Sequence, residues 1–245
     1  MKFDIITIFP KIFDSYFNES IIKRAKEKKL VQIKIHNLRD FTRDKHKKVD
    51  DRPYGGGAGM VLMVEPILRA VDLITKNKKL RTKTKNQQLK TKIVLFSAKG
   101  KQFNQKMAYD WALKFDNIIL ISGRYEGIDE RVKKILKAEE ISIGPYVLTD
   151  GDAPAMVVTS AITRLIHGVI NWESLGEESY FNKFVKKESK ESLEYPHYTR
   201  PEALLWRGKK YRVPGVLLSG NHRGIRVWRY SKRRIDPVEQ RRFAP

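Results

Sequence analysis

The chain has 245 residues, with 50 Lys and Arg against 28 Asp and Glu for a formal net charge of +22, and it has no cysteine. That length suits one large domain or two modest ones with a real apolar core, and the lack of cysteine excludes a disulfide framework, a thiolate nucleophile and Cys-ligated zinc. So large a positive charge attracts polyanions before any particular contact forms, with nucleic acid as the first candidate and a membrane surface the second; no run of about 18 apolar residues is present to span a bilayer.

In chain order, M-K-F-D-I-I-T-I-F-P reads as a strand over Phe3–Phe9, because an acid interrupts an apolar stretch too short for a signal peptide. A helix over Ser20–Lys29 and a strand over Gln32–His36 follow. Then comes D-D-R-P-Y-G-G-G-A-G-M (50–60), with four glycines in five positions after two carboxylates, an arginine and a tyrosine. Glycine is placed where the backbone takes positive φ or approaches another molecule closely, and the spacing matches neither familiar phosphate loop. A helix is expected over Pro66–Thr75, its proline suited to the first turn. Lys76–Lys92 holds eight basic residues, no acid and little to bury, the composition of a disordered insertion.

Strands are then expected at Ile93–Ser97, Ile118–Ser122 and Glu140–Ile143, alternating with helices at Phe103–Lys114, Ile128–Lys137 and Ala155–His167. This alternation argues for an α/β fold with a mostly parallel sheet, whose ligands sit beyond the carboxyl ends of strands. Three unusual loops fall there: S-A-K-G (97–100), S-G-R-Y-E-G-I-D-E-R (122–131) and G-P-Y-V-L-T-D-G-D-A-P (144–154). From Phe184 onward sixteen Lys and Arg face six Asp and Glu, a net of +10, so a near-balanced core is followed by a basic C-terminal module.

R-D-F-T-R-D-K-H (39–46), V-D-D-R-P-Y-G-G-G-A-G-M (49–60), S-G-R-Y-E-G-I-D-E-R-V (122–132), I-S-I-G-P-Y-V-L-T (141–149), Y-P-H-Y-T-R-P (195–201) and L-L-S-G-N-H (217–222) together resemble the bacterial tRNA (guanine-N1) methyltransferases, the TrmD family of the SPOUT superfamily, over nearly the whole chain. The resemblance implies a deep trefoil knot, an exception to the rule against knotted chains. It also implies a cytoplasmic homodimer that binds S-adenosylmethionine in the knot and methylates N1 of the guanosine at position 37 of tRNA, next to the anticodon. Mg²⁺ is a second candidate component; no metal-ligating residue is assigned. The implied domains are a knotted catalytic domain over 1–168, a linker over 169–183 and a small helical tRNA-binding domain over 184–245.

By the same resemblance Ser97, Gly123, Tyr125, Glu126, Ser142, Ile143, Gly144, Pro145, Tyr146, Val147 and Leu148 line the cofactor slot, with Gly151 and Pro154 beside it. Pro145 stands where the family pattern has aspartate, and Asp150 where glycine is frequent. Methylating guanine N1 requires removal of its proton and stabilisation of negative charge on O6. The implied base is Glu178, in E-E-S-Y (177–180), where the family carries aspartate; the implied cation is Arg164. Glutamate adds one C–C bond of roughly 1.5 Å to the side chain.

The tRNA contacts expected are Asp50, Arg52 and Gly55, Gly56 and Gly57 in the glycine loop, Ser179, His197 and Arg200, and His222, Arg223 and Arg226. Asp50 and Asp51 would suit either the guanine edge or ordering of a partner subunit. Tyr198 is expected as small-domain core or hydrogen-bond support, and Trp206 is a further candidate for the core. The alternative is a basic RNA-binding protein of the same fold with impaired catalysis.

Overall fold

The computed structural model describes residues 1–79, 89–171, 178–180 and 193–233. The chain divides into two compact units, Met1–Ile170 and Asn171–Pro245.

The first unit is built on β1 (Lys2–Thr7), β2 (Gln32–Asn37), β5 (Thr91–Gln102), β6 (Asn117–Ile121) and β7 (Glu139–Ser142). They form one sheet in the order β2-β1-β6-β5-β7, every pair parallel. β6, N-I-I-L-I, is buried along its whole length, as a parallel strand covered on both faces must be. A short antiparallel pair, β3 (Asp50–Asp51) and β4 (Val61–Leu62), carries the glycine loop as its turn.

Six helices accompany these strands: α1 (Asp14–Phe17), α2 (Ser20–Glu27), α3 (Val64–Lys79), α4 (Gln105–Lys114), α5 (Glu130–Leu136) and α6 (Asp152–Thr163). Local chemistry sets their ends. The Asn104 side chain accepts from the N–H of Met107 at 3.0 Å to cap α4, and Asp129 accepts from the N–H of Arg131 at 2.9 Å to cap α5. One core layer packs Ile67, Ala70, Val71 and Ile74 of α3 against Ile6, Ile119 and Ile121. Each such side chain contributes about 1.5–3 kcal/mol by leaving water.

Three expectations need correction. The basic insertion is narrower than 76–92: α3 runs on through Lys76, whose ammonium meets Asp72 at 2.6 Å, and β5 takes in Thr91 and Lys92 by pairing with Asn117 and Ile118. Lys92 is held there by Glu139 and by the rings of Trp111 and Phe115, 5.4 and 5.6 Å away. The rest of that segment, 80–88, lies outside the described residues. Secondly, S-A-K-G (97–100) is not a terminal loop but an interruption within β5, where Phe96 and Lys101 both register with Ile141. The strand returns to β7 so closely that a Cβ on Gly100 would lie 2.6 Å from the backbone of Glu140 and Ile141. Thirdly, α6 starts and stops earlier than Ala155–His167. The Asp150 carboxylate accepts from the N–H groups of Asp152 and Ala153 at 2.8 and 3.3 Å, nucleating the helix ahead of Ala155. At the other end the chain turns out of the helix into Gly168, at φ 83°.

In the second unit the described residues form the antiparallel hairpin β8 (Ala203–Trp206) and β9 (Lys209–Arg212), with helices α7 (Gly215–Leu218) and α8 (His222–Lys232). The hairpin was not expected from the sequence. Asn221 caps α8 by accepting from the N–H of Gly224 at 3.1 Å. Tyr195 is the one deeply buried apolar side chain described here. Tyr198 and Trp206 are 49% and 59% exposed, so neither is core; Tyr198 instead tilts against Trp228 with ring centroids 6.2 Å apart.

Candidate active site

At the interruption in β5 and beyond the carboxyl ends of β6 and β7 lies a cavity of about 310 Å³. The chain steps from β5 back to β6 and then forward across β5 to β7, and this reversal of strand order is where parallel sheets open a crevice. Three segments wall it: the interruption in β5, the stretch after β6, and the connection from β7 into α6.

Of the expected cofactor residues, Ser97, Gly123, Tyr125, Glu126, Ser142, Ile143, Tyr146, Val147, Leu148, Gly151 and Pro154 all line this cavity. Gly144 and Pro145 do not. Gly144 is buried beside it, its N–H donating to the Ser142 hydroxyl at 3.2 Å, while Pro145 is exposed. The two glycine-bearing loops touch: the Gly151 N–H donates to the Gly123 carbonyl at 2.8 Å, and a Cβ on Gly151 would lie 2.7 Å from the Gly123 nitrogen. No larger residue fits that crossing. Tyr125 holds φ 60°, a conformation that costs a non-glycine residue about 1 kcal/mol or more and that clusters at functional sites.

Behind the wall is a buried polar network that the sequence reading missed. Asp152, fully buried at the start of α6, accepts from the hydroxyls of Thr7 at 2.7 Å and Ser122 at 2.6 Å, and from Nη2 of Arg124 at 3.3 Å. Arg124 also donates to Asp150 at 3.2 Å, and its guanidinium lies 4.3 Å from the centre of the Phe9 ring. One carboxylate thereby ties β1, the end of β6 and α6 together, compensated by a cation and two hydroxyls as a buried charge requires. Asp150, the departure from the family pattern, serves this network and caps α6. An acid at the head of a helix next to S-G-R after a buried strand was the available signal.

A second charged group bounds the cavity floor. Glu140, its side chain 10% exposed, meets Nζ of Lys133 at 2.6 Å and Nζ of Lys99 at 3.8 Å, and accepts from the Ser97 hydroxyl. Burial pushes the Glu140 carboxyl up, but the hydrogen bonds from Lys133 and Ser97 and the charges of Lys99 and Lys133 outweigh it and hold the group below the usual carboxylate range. The hydrogen bond and charge of Glu140 in turn raise Lys133. Asp129, also on the cavity wall, is held low chiefly by its hydrogen bond from Arg131.

The implied catalytic pair is not assembled within one unit. Arg164, at the end of α6, lines a different cavity of about 310 Å³ with Tyr16, Glu19, Ser20, Ser160 and Thr163. Glu178 is half-buried in the second unit, in the short described stretch 178–180; Glu177 lies outside the described residues. Next to it, Ser179 is held by Glu194: the Ser179 N–H donates to the Glu194 carboxylate and the Glu194 N–H to the Ser179 hydroxyl, both at 3.0 Å.

The expected tRNA residues are spread over both units. Asp50 sits in β3 opposite Leu62, and Arg52 and Gly55–Gly57 are exposed, the three glycines at φ 81° to 116° with Tyr54 fully exposed beside them. His197 pairs with Glu194 at 3.5 Å. Arg200, His222, Arg223 and Arg226 are exposed, the last three on α8. Among the described residues no group of three or more His, Asp or Glu is placed to hold a metal ion.

A parallel α/β sheet with a ligand-sized cavity at its strand-order reversal, in a chain that also has a small basic unit, defines the class of protein. Residues 1–243 match the family described as tRNA (Guanine-1)-methyltransferase TrmD, and the chain belongs to that family. It is similar to proteins named tRNA (guanine-N(1)-)-methyltransferase from Carboxydothermus hydrogenoformans (45% identical, covering 99% of this chain and 86% of that protein) and Clostridioides difficile (45%, 99% and 96%). A third, from Dictyoglomus turgidum, is 48% identical over 94% of this chain and 83% of its own length.

Proposed function

We propose that the chain transfers the methyl group of S-adenosylmethionine to N1 of the guanosine at position 37 of tRNA. The observation that carries this is the cavity at the β5 interruption and the ends of β6 and β7, walled by the segments expected to form a cofactor slot, in a chain whose family match runs over residues 1–243.

The residues present fit the donor. Its volume, near the lower end of the roughly 300–1,000 Å³ range of small-molecule sites, suits a bent ligand. Ile143, Leu148, Leu95 and Pro154 offer apolar surface to an adenine, and Glu126, Asp129 and Glu130 offer carboxylates to ribose hydroxyls and to a cationic ammonium and sulfonium. S-adenosylmethionine, when bound, supplies a methyl group on an electrophilic sulfonium. Glu178 accepts the N1 proton of guanine as the N1–CH₃ bond forms and the S–CH₃ bond breaks. Arg164 stabilises the negative charge that develops on O6.

The finer reading is also a proposal. The first unit is the knotted catalytic domain, its knot supported by the step from β6 across β5 and the tight Gly123–Gly151 crossing. Residues 169–183 serve as a linker and 184–245 as a tRNA-binding domain that holds the anticodon stem-loop with Arg200, His222, Arg223 and Arg226. Phe9, Ile12, Tyr16 and Val157, between 42% and 47% exposed, supply apolar surface for a homodimer. The protein works in the cytoplasm; among the described residues no helix is long and apolar enough to cross a membrane. Mg²⁺ acts as a second component.

The test is transfer of labelled methyl to an unmodified tRNA with guanosine after the anticodon, with and without a chelator. Wild type methylates N1, and Glu178→Gln loses ~10²–10⁴-fold in rate while still binding tRNA. No transfer by wild type, with tight tRNA binding kept, sinks the catalytic assignment.

A further inference from the structure

Among the described residues of the second unit, the hairpin β8–β9 leaves a run of apolar side chains open. Leu204, Leu205, Trp206 and Tyr211 are 51, 71, 59 and 50% exposed, and every residue of both strands is exposed. A two-stranded hairpin is marginal in water on its own, so apolar side chains left open on it signal a partner. Its turn is well formed, with Arg207 and Gly208 at φ 50° and 73°, and the register pairs Leu204 with Tyr211 and Trp206 with Lys209. Because side chains alternate along a strand, those four share one face, and Ala203, Leu205, Lys210 and Arg212 share the other.

Charge decides what the partner is. From Ala203 to Arg212 there are four cations and no acid. Two of them lie by the rings: the Arg207 guanidinium is 5.8 Å from the centre of Trp206, and Nζ of Lys209 is 5.5 Å from that of Tyr211. A second copy of this hairpin would set cation against cation across a two-fold axis, which disfavours self-pairing. Solvent-exposed aromatic rings with mobile cations over them suit unpaired bases and the phosphates that join them.

We propose that β8–β9 is a contact surface for unpaired RNA: bases of the bound tRNA stack on Trp206 and Tyr211, and Arg207 and Lys209, beside those rings, meet the phosphates. This rests on the tRNA reading above and extends it to residues that reading does not include.

The test measures binding of a labelled unmodified tRNA and of a single-stranded oligoribonucleotide to the full chain over a series of salt concentrations. Trp206→Ala and Tyr211→Ala each weaken RNA binding about tenfold, as loss of one stacked base does, and Trp206→Phe restores most of it. Arg207→Ala with Lys209→Ala lowers the slope of log affinity against log salt by about 1–2. The KM for S-adenosylmethionine stays at the wild-type value in all of them. Aromatic variants that bind both RNAs like wild type, with an unchanged salt slope, overturn the proposal even where wild type methylates tRNA normally. Loss of affinity that appears only together with loss of self-association in sedimentation also overturns it, because the face is then a protein interface. If wild type fails to methylate tRNA, the functional reading fails by itself, and the oligoribonucleotide arm still decides the hairpin.

Discussion

The two units handle the same kinds of side chain in opposite ways. In β6 of the first unit Ile118, Ile119 and Leu120 have no exposure and Ile121 has 1%; in β8 of the second, Leu204, Leu205 and Trp206 are at least half exposed. The first unit therefore draws its stability from its own interior. The second leaves apolar and aromatic surface among cations, which suits a unit whose contacts are completed by a polyanionic partner.

The sharpest break of that contrast is Asp152→Ala. It takes the acceptor from the Thr7 and Ser122 hydroxyls and leaves Arg124 with Asp150 alone, so a loss of ~3–5 kcal/mol in stability is expected, read as a lowered denaturation midpoint of the first unit. Next, Ile119→Ala empties space in a fully buried strand and costs ~2–5 kcal/mol, whereas Leu205→Ala on the exposed hairpin stays within ~0.5 kcal/mol. Equal losses from the two substitutions would erase the distinction between the units.

Glu140→Gln acts on the cavity with a smaller effect on the fold. The carboxylate holds Ser97 and Lys99 of the β5 interruption in place, and the amide weakens that hold; the KM for S-adenosylmethionine rises several-fold, kcat at saturation changes little and tRNA affinity is unchanged. An equal fall in kcat would place Glu140 in the chemistry instead. The same residue sets a pH dependence. Its folded carboxyl titrates below the unfolded value of about 4.3, so its stabilising contribution is fully present above that pH and is lost as pH falls through the lower folded value. The stability advantage of wild type over Glu140→Gln should thus shrink on acidification below about pH 4; an advantage that is flat with pH contradicts the ion pair with Lys133. The smallest effect is expected at Asp51, an exposed partner of Lys48 at 3.0 Å, where Asp51→Asn leaves the denaturation midpoint at the wild-type value and tRNA methylation reports on the glycine loop.

Much of the first unit was legible in the chain because its signals are local. Five β-branched runs locate the five parallel strands, Asn104 and Asp129 announce helix starts, and the run of glycines after Asp50 locates a turn at positive φ. The hairpin of the second unit has its local signal in R-G between two short strands, since a two-residue turn of this kind needs positive φ at both positions. Other features were decided only by the assembled backbone. Whether Ser97–Gly100 is a loop or an interruption inside β5 depends on where β7 lies, because Phe96 and Lys101 share Ile141 as a partner. That Trp206 is exposed while Trp111 is 5% exposed depends on what packs against each, which an apolar residue does not record in its own identity. The sequence by itself determined most element types of the first unit, the parallel α/β class and the cationic character, which follow from periodicity, caps and composition, and it carried the family in six motif strings. The cavity wall, the buried Asp152 network and the Glu140 cluster join residues up to 145 positions apart, and only close packing in three dimensions brings such groups within hydrogen-bonding distance.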